Sequence, residues 1–416
     1  MVSLDRPEPH MCACTGTWPM FIVLLLLLLF PFLAGACTGS VEPGPTRNVL
    51  NAVVALAANN VWAVGGMSTS KHFGLQVLIE HWDGQRWQTV MPDMEGELCA
   101  ISADSANDIW AVGGGGYYNC SLGSQQPVLH WDGQRWQSLS VGISLDKGVL
   151  LSVLALSPRN VWAVGTSGRQ ALIEHWDGSS WKSVTQPYEG LASSLQAIAG
   201  RAANDLWAVG SAVAETGERG SLSEHWDGRS WKSVPMPGVM QDKRLLGNPD
   251  FPGLAAFPAG QLWAVGEIDL SSVYPPTPLI ERWNGKQWEV AYGSAPQNPN
   301  LRTPEATLQA VIALDAQDAW AVGDTGTTDT GKTGYVLVYH WDGQSWQQIK
   351  APSFLFGSQL SSISAVATDN IWAVGSTDTR LGSGDSVTLI EHWDGHSWQA
   401  VPSLNPGTPA PPIGEG

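Results

Sequence analysis

Trp62-Ala63-Val64-Gly65 recurs at Trp110, Trp162, Trp207, Trp263, Trp320 and Trp372, seven copies in all. After a stretch of variable length each copy is followed by His-Trp-Asp-Gly-x-x-Trp, starting at His81, His130, His175, His225, His340 and His392. The fifth unit carries the variant Arg282-Trp283-Asn284-Gly285-Lys286-Gln287-Trp288. The second signature supplies Trp82 and Trp87, Trp131 and Trp136, Trp176 and Trp181, and Trp226 and Trp231. It continues with Trp283 and Trp288, Trp341 and Trp346, and Trp393 and Trp398. Three per unit make 21 of the 22 tryptophans, and only Trp18 lies outside.

A chain of 416 residues would ordinarily form two or three domains. A repeat overrides that expectation, because stacked units share one core. The copies lie 48, 52, 45, 56, 57 and 52 residues apart, which suits four short strands per unit. The first unit reads as strands over 50–56, 61–65, 77–82 and 87–90, rich in β-branched and aromatic residues. The expected fold is all-β: a seven-bladed β-propeller over 50–401, with blades near 50–90, 98–139, 150–184, 195–234, 254–290, 308–349 and 363–401. The Pro/Gly-rich tail, 402–416, is expected to be disordered.

Asp83-Gly84 marks a hairpin, since Gly takes positive φ without steric cost and Asp bonds back to nearby amides. A Gly84-Gln85 loop, or a four-residue loop, sets Trp82 opposite Trp87; a turn centred on Asp83-Gly84 sets Gln85 there instead. Pairing of the two tryptophans is preferred, because aromatic cross-strand pairs stabilise hairpins. A strand ending in Trp-Ala-Val-Gly, a strand closing on Asp-Gly and a Trp in the next strand resemble bacterial neuraminidase (Asp-box) repeats. The version in photosystem II stability/assembly-factor-like propellers is the most similar. The chain departs from the Asp-box pattern in that Asp and Gly are adjacent and no Ser or Thr holds the usual place before them. The resemblance implies a propeller and, from the assembly-factor-like members, a protein partner; it fixes no activity.

The formal net charge of −17, with no basic stripe, argues against nucleic acid and anionic lipid as partners. Met20–Phe32 is apolar and leads into Leu33-Ala34-Gly35-Ala36-Cys37, the form of an export signal (1–36) followed by a tether (37–49). Acylation of Cys37, cleavage after Ala36 and an uncleaved anchor are three outcomes. All place the repeats outside the cytoplasm, membrane-attached only through the N-terminus. Cys99 and Cys120 fall at one end of adjacent antiparallel strands, as a disulfide requires; two free thiols are the alternative.

In a four-stranded meander the second loop and the inter-unit connection share one end. All length variation falls there, in 66–76, 113–126, 211–222, 267–277, 324–334 and 376–387, and in 235–252 and 291–306. Variable loops on a constant frame are where binding usually resides. Tyr117, Tyr118, Tyr274 and Tyr292 lie in these segments with Lys243 and Arg244, and Tyr188, Phe354 and Phe356 in other connections between units at that end. All are candidate contacts for protein or carbohydrate, weighed against packing among themselves.

Other motifs carry less. Gly326–Thr333 matches the phosphate-loop pattern but runs into an alternating strand where that mechanism needs a helix. The repeated His and the Glu before it read as structural, since equivalent positions around a ring cannot converge on a metal. The hairpin residues Asp83, Asp132, Asp177, Asp227, Asp342 and Asp394 read as turn residues, with local Ca²⁺ binding the alternative. No nucleophile elbow or zinc-protease motif occurs. Carboxylates from distant loops, such as Glu215, Asp269 or Asp329, keep glycoside hydrolysis as a rival. The reading is a monomeric, non-catalytic extracytoplasmic binding or assembly scaffold with no cofactor and no metal. A carbohydrate-active enzyme and a structural surface component are the alternatives.

Overall fold

In a computed structural model the chain is described at residues 47–68, 75–90, 92, 94–114, 120, 127–140, 148–236, 240–241, 244–245, 248–257, 260–269, 276–293, 306–326, 334–352, 354, 356–380 and 385–405. It is an all-β propeller of four-stranded antiparallel meanders. The first unit has strands Arg47–Ala57, Asn60–Ser68, Gln76–Trp82 and Trp87–Thr89. The first strands of later units are Glu97–Ser105, Gly148–Ser157, Ala192–Ala202, Asn248–Ala256, Thr307–Asp315 and Ser358–Ala367. Each first strand lies beside the next, and Ser358–Ala367 returns to Arg47–Ala57, so the units close a ring.

Two sequence expectations are corrected here. Units two to six are five separate four-stranded sheets, whereas units one and seven form a single eight-stranded sheet. The cause lies in residues assigned to the tether: the first strand starts at Arg47, and Arg47 pairs in parallel with Ser386. The start of the tail is likewise ordered. The Thr388 amide donates to Asn405 Oδ1 at 2.7 Å, holding 402–405 along the third strand of unit seven. A short hairpin, Met240–Gln241 with Arg244–Leu245, lies in the connection before unit five. The expected leader, Cys37 and residues 406–416 lie outside the described residues.

The tryptophans explain the core. Trp82 pairs with Trp87 across the hairpin, as in every unit. Each Trp of Trp-Ala-Val-Gly packs on the hairpin pair of the next unit: Trp62 lies 5.0 Å from Trp131 and 5.6 Å from Trp136. Trp372 closes the cycle at 5.3 Å from Trp82 and 5.6 Å from Trp87. Packing between units is thus aromatic and tilted or edge-on, the arrangement ring quadrupoles favour.

The polar positions that repeat from unit to unit serve the same frame. Asn60 Oδ1 accepts from Trp62 Nε1 at 2.9 Å and meets His81 Nε2 at 2.9 Å, which assigns the proton of that ring to Nε2. Asp108, Asn160, Asp205, Asp318 and Asn370 repeat this with their own Trp and His. Unit five changes both partners together: Arg282 Nη2 donates to Gln261 Oε1 at 2.6 Å, and the guanidinium lies 5.5 Å over the Trp263 ring. In the hairpin, Asp83 Oδ1 accepts the amides of Gln85 and Arg86, both at 2.9 Å, an Asx turn that leaves Gly84 at φ 93°. Those amides hold the Asp83 carboxyl below its usual range. With its ring nitrogen engaged, the repeated His is a structural donor, and no group of His, Cys, Asp and Glu suited to a metal occurs among the described residues.

Candidate functional site

At the variable-loop end, units three, four and five surround a pocket of about 500 Å³. Its shape follows from local turns. In unit three the loop is only Gly168-Arg169, between paired Ser167 and Gln170, with Gly168 at φ 64°. In unit four a tight turn, with the Ala214 amide donating to Glu218 O at 2.8 Å, places Arg219 at the start of the third strand. Arg169 and Arg219, from these two connections and their edges, both line the pocket.

The floor is polar. Gln196 Nε2 donates to Asp250 Oδ2 at 3.0 Å, and Ser211 also bonds that carboxylate. Glu267 accepts from the Thr307 hydroxyl, and Asp269 completes the acidic side of the lining. Burial raises the Asp250 carboxyl above its ordinary value, against the lowering effect of the two hydrogen bonds. In unit six, beside Glu267, Asp324 is pushed up to about 6, first by burial and then by the Glu267 charge. Asp324 also lines a second pocket of about 240 Å³ with Arg47, Gln359, Ser376 and Asp378.

A polar anchor holds the rim at units one and two. Cys99 and Cys120 form a disulfide with Cα atoms 5.6 Å apart. The buried Glu97 accepts from Asn51 Nδ2 at 2.9 Å and from the Cys120 amide at 3.1 Å. The bridge thus fixes the residue whose backbone holds Glu97.

Of the aromatic contacts expected from the sequence, the four described ones, Tyr188, Tyr292, Phe354 and Phe356, do not line either pocket. Tyr188 packs in the core between units three and four. Tyr292 packs on Tyr339 of unit six, hydroxyl to hydroxyl at 3.2 Å. Phe354 joins the core of units six and seven, while Phe356 is 39% exposed at a turn. Tyr117, Tyr118, Lys243 and Tyr274 lie outside the described residues, and of Arg244 only the backbone is described. Of the carboxylates singled out, Asp269 lines the larger pocket, Glu215 is exposed on a turn, and Asp329 lies outside the described residues. Sequence reasoning missed Arg169, Gln196, Arg219, Asp250 and Glu267. They are common polar residues from three units, and only ring closure brings them together.

No protein-family model matches the chain, and no curated protein matches it. Solved structures do. YCF48 from Cyanidioschyzon merolae is 15% identical with a TM-score of 0.50, covering 80% of this chain and 95% of that one. A polysaccharide lyase, PL25 ulvan lyase bound to -[GlcA(1-4)Rha3S]-, is 11% identical with a TM-score of 0.55, covering 86% and 96%. The GH74 xyloglucanase from Xanthomonas campestris is 13% identical with a TM-score of 0.52, covering 86% of this chain and 54% of its own length. At these identities the likeness establishes a shared propeller fold.

Proposed function

We propose that this protein is an exported binding propeller that holds a hydroxyl-rich ligand, a carbohydrate, in the pocket between units three, four and five. The observation that carries this reading is the pocket itself: about 500 Å³, with serine, glutamine, carboxylate and guanidinium groups beside Ala192, Ala212, Val213 and Pro249 in its lining. That volume suits a short saccharide, and such a lining replaces the water around sugar hydroxyls. Export is supported in this reading by the apolar segment before Cys37 and by the Cys99–Cys120 disulfide, of a kind that persists in oxidising compartments. The eight-stranded sheet counts as two blades joined at one parallel pair, giving seven in this reading.

The test is capture of glycans and proteins from envelope extracts by the purified chain. A Gln196→Ala, Asp250→Asn variant serves as pocket mutant and Arg135→Gln, on a hairpin, as control. Saccharide retained by the parent and the control but lost in the pocket variant is expected. Protein retained equally by all three would favour an assembly scaffold instead. A second reading, a carbohydrate-active enzyme, is favoured by Glu267 beside Asp324, whose carboxyl is held at about 6. A carboxyl raised in this way beside a second carboxyl is the kind of pair that acid–base cleavage of glycosidic bonds uses. Turnover of retained polysaccharide, abolished by Asp324→Asn, would establish it.

A further inference from the structure

Within the larger pocket the charges are unevenly satisfied. Asp250 is bonded by Gln196 and Ser211, and Glu267 by Thr307. Asp269 has a partner as well. The side chains of Arg169 and Arg219, which line the same pocket, take no hydrogen bond or ion pair with any described residue. This stands out in a chain with 38 acidic and 21 basic residues, where an unpaired cation has many carboxylates to choose from. Each guanidinium presents a rigid fork of donors suited to the two oxygens of a carboxylate or sulfate. Arg169 sits in the two-residue turn of unit three and Arg219 at the first position of the third strand of unit four, paired with Val213.

We infer that the pocket selects an anionic saccharide, one bearing a carboxylate or sulfate, with Arg169 and Arg219 holding the acidic group and Gln196 and the bonded carboxylates receiving its hydroxyls. The inference rests on the binding reading above. It also accounts for how an acidic protein takes an anionic ligand. Two local cations act within a few ångströms, where the distributed charge of −17 is largely screened beyond about 8 Å at physiological salt. A short acidic unit therefore fits better than a long polyanion, which would trail across the acidic surface.

The probes are a glycan array of neutral, uronate-bearing, sulfated and sialylated oligosaccharides, followed by calorimetry on trigalacturonate and its methyl ester if uronates are retained. The expected result is retention of acidic glycans. Arg169→Gln and Arg219→Gln should each weaken binding about 10-fold, as loss of a charge-assisted bond near 1.4 kcal/mol implies, while leaving the melting temperature unchanged. Arg135→Gln on the hairpin face should bind as the parent does. Equal binding of acidic and neutral glycans, or binding unchanged by both arginine variants, overturns the inference and leaves the binding reading standing. Retention of acidic peptides in place of glycans also overturns it. No retention of any glycan removes both.

Discussion

A Cβ placed on Gly65 would sit 2.0 Å from the carbonyl oxygen of Val49. The same relationship holds at Gly113, Gly165, Gly210, Gly266, Gly323 and Gly375, each 1.8–2.1 Å from a carbonyl oxygen of its first strand. The cause is a register shift: in unit one pairing passes from Leu50 to Ala52, and the extra residue drives the Val49 carbonyl toward the second strand. The glycine of Trp-Ala-Val-Gly is therefore a steric requirement. Gly210→Ala should destabilise the protein by about 3 kcal/mol in chemical denaturation, because backbone and no flexible side chain obstructs it. Gly217→Ala, with nothing within 4 Å of its Cβ but φ at +85°, should cost only about 1 kcal/mol. Equal costs would refute the crowding argument.

Asn60 serves two donors at once, so removing it orphans both the Trp62 and His81 N–H groups. Asn60→Ala should cost about 2–3 kcal/mol, whereas Asn60→Asp should stay within about 1 kcal/mol, as aspartate already fills this place in units two, four and six. In unit five a double-mutant cycle on Gln261 and Arg282 should return a coupling of about 1–2 kcal/mol. A coupling near zero would mean that the paired change there has no structural basis.

Five glutamates, Glu80, Glu174, Glu224, Glu281 and Glu391, are fully buried at the position before the histidine or arginine of their units. Burial holds the Glu80 and Glu391 carboxyls up at about 8, and those of Glu174 and Glu224 up at about 7, from an ordinary 4.5. A folded-state value above the unfolded one means that the native protein binds the proton more tightly. This contribution is complete below about pH 4.5 and is lost as pH rises through 7 to 8. The thermal midpoint should fall between pH 5 and 9, and Glu80→Gln with Glu391→Gln should flatten that fall. A midpoint that rises over this range would contradict the burial of these groups as neutral acids.

The Cys99–Cys120 bridge closes a loop with a sequence separation of 21 residues. Reduction, or paired Cys→Ser change, should lower stability by about 3 kcal/mol on chain-entropy grounds. It should also release the Cys120 amide from Glu97, detectable as faster amide exchange at Cys120.

The frame was legible in the residues because its signals are local. The Trp82–Trp87 pairing was favoured by the stability of aromatic cross-strand pairs, and the Asp83 turn by its own chemistry. Packing of Trp62 on Trp131 and Trp136 was not legible, since it depends on how units meet around the ring. The bulge residues, among them Asn51, Cys99, Gln196 and Ser361, share no residue type and so leave no repeat signal. Tyr188 and Tyr292 looked like binding residues because loop aromatics often are; here they fill seams between units. The pocket drew its lining from positions as far apart as Thr166 and Asp269, and no local pattern marks them.

The most direct test of the central claim, that ligand binds at the variable-loop end between units three and five, is hydrogen exchange with and without a retained glycan. The account predicts slowed exchange around Arg169, Ser194, Arg219 and Glu267, with the Asp-Gly hairpins at the opposite end unchanged. Protection confined to those hairpins, with the pocket unaffected, would contradict it.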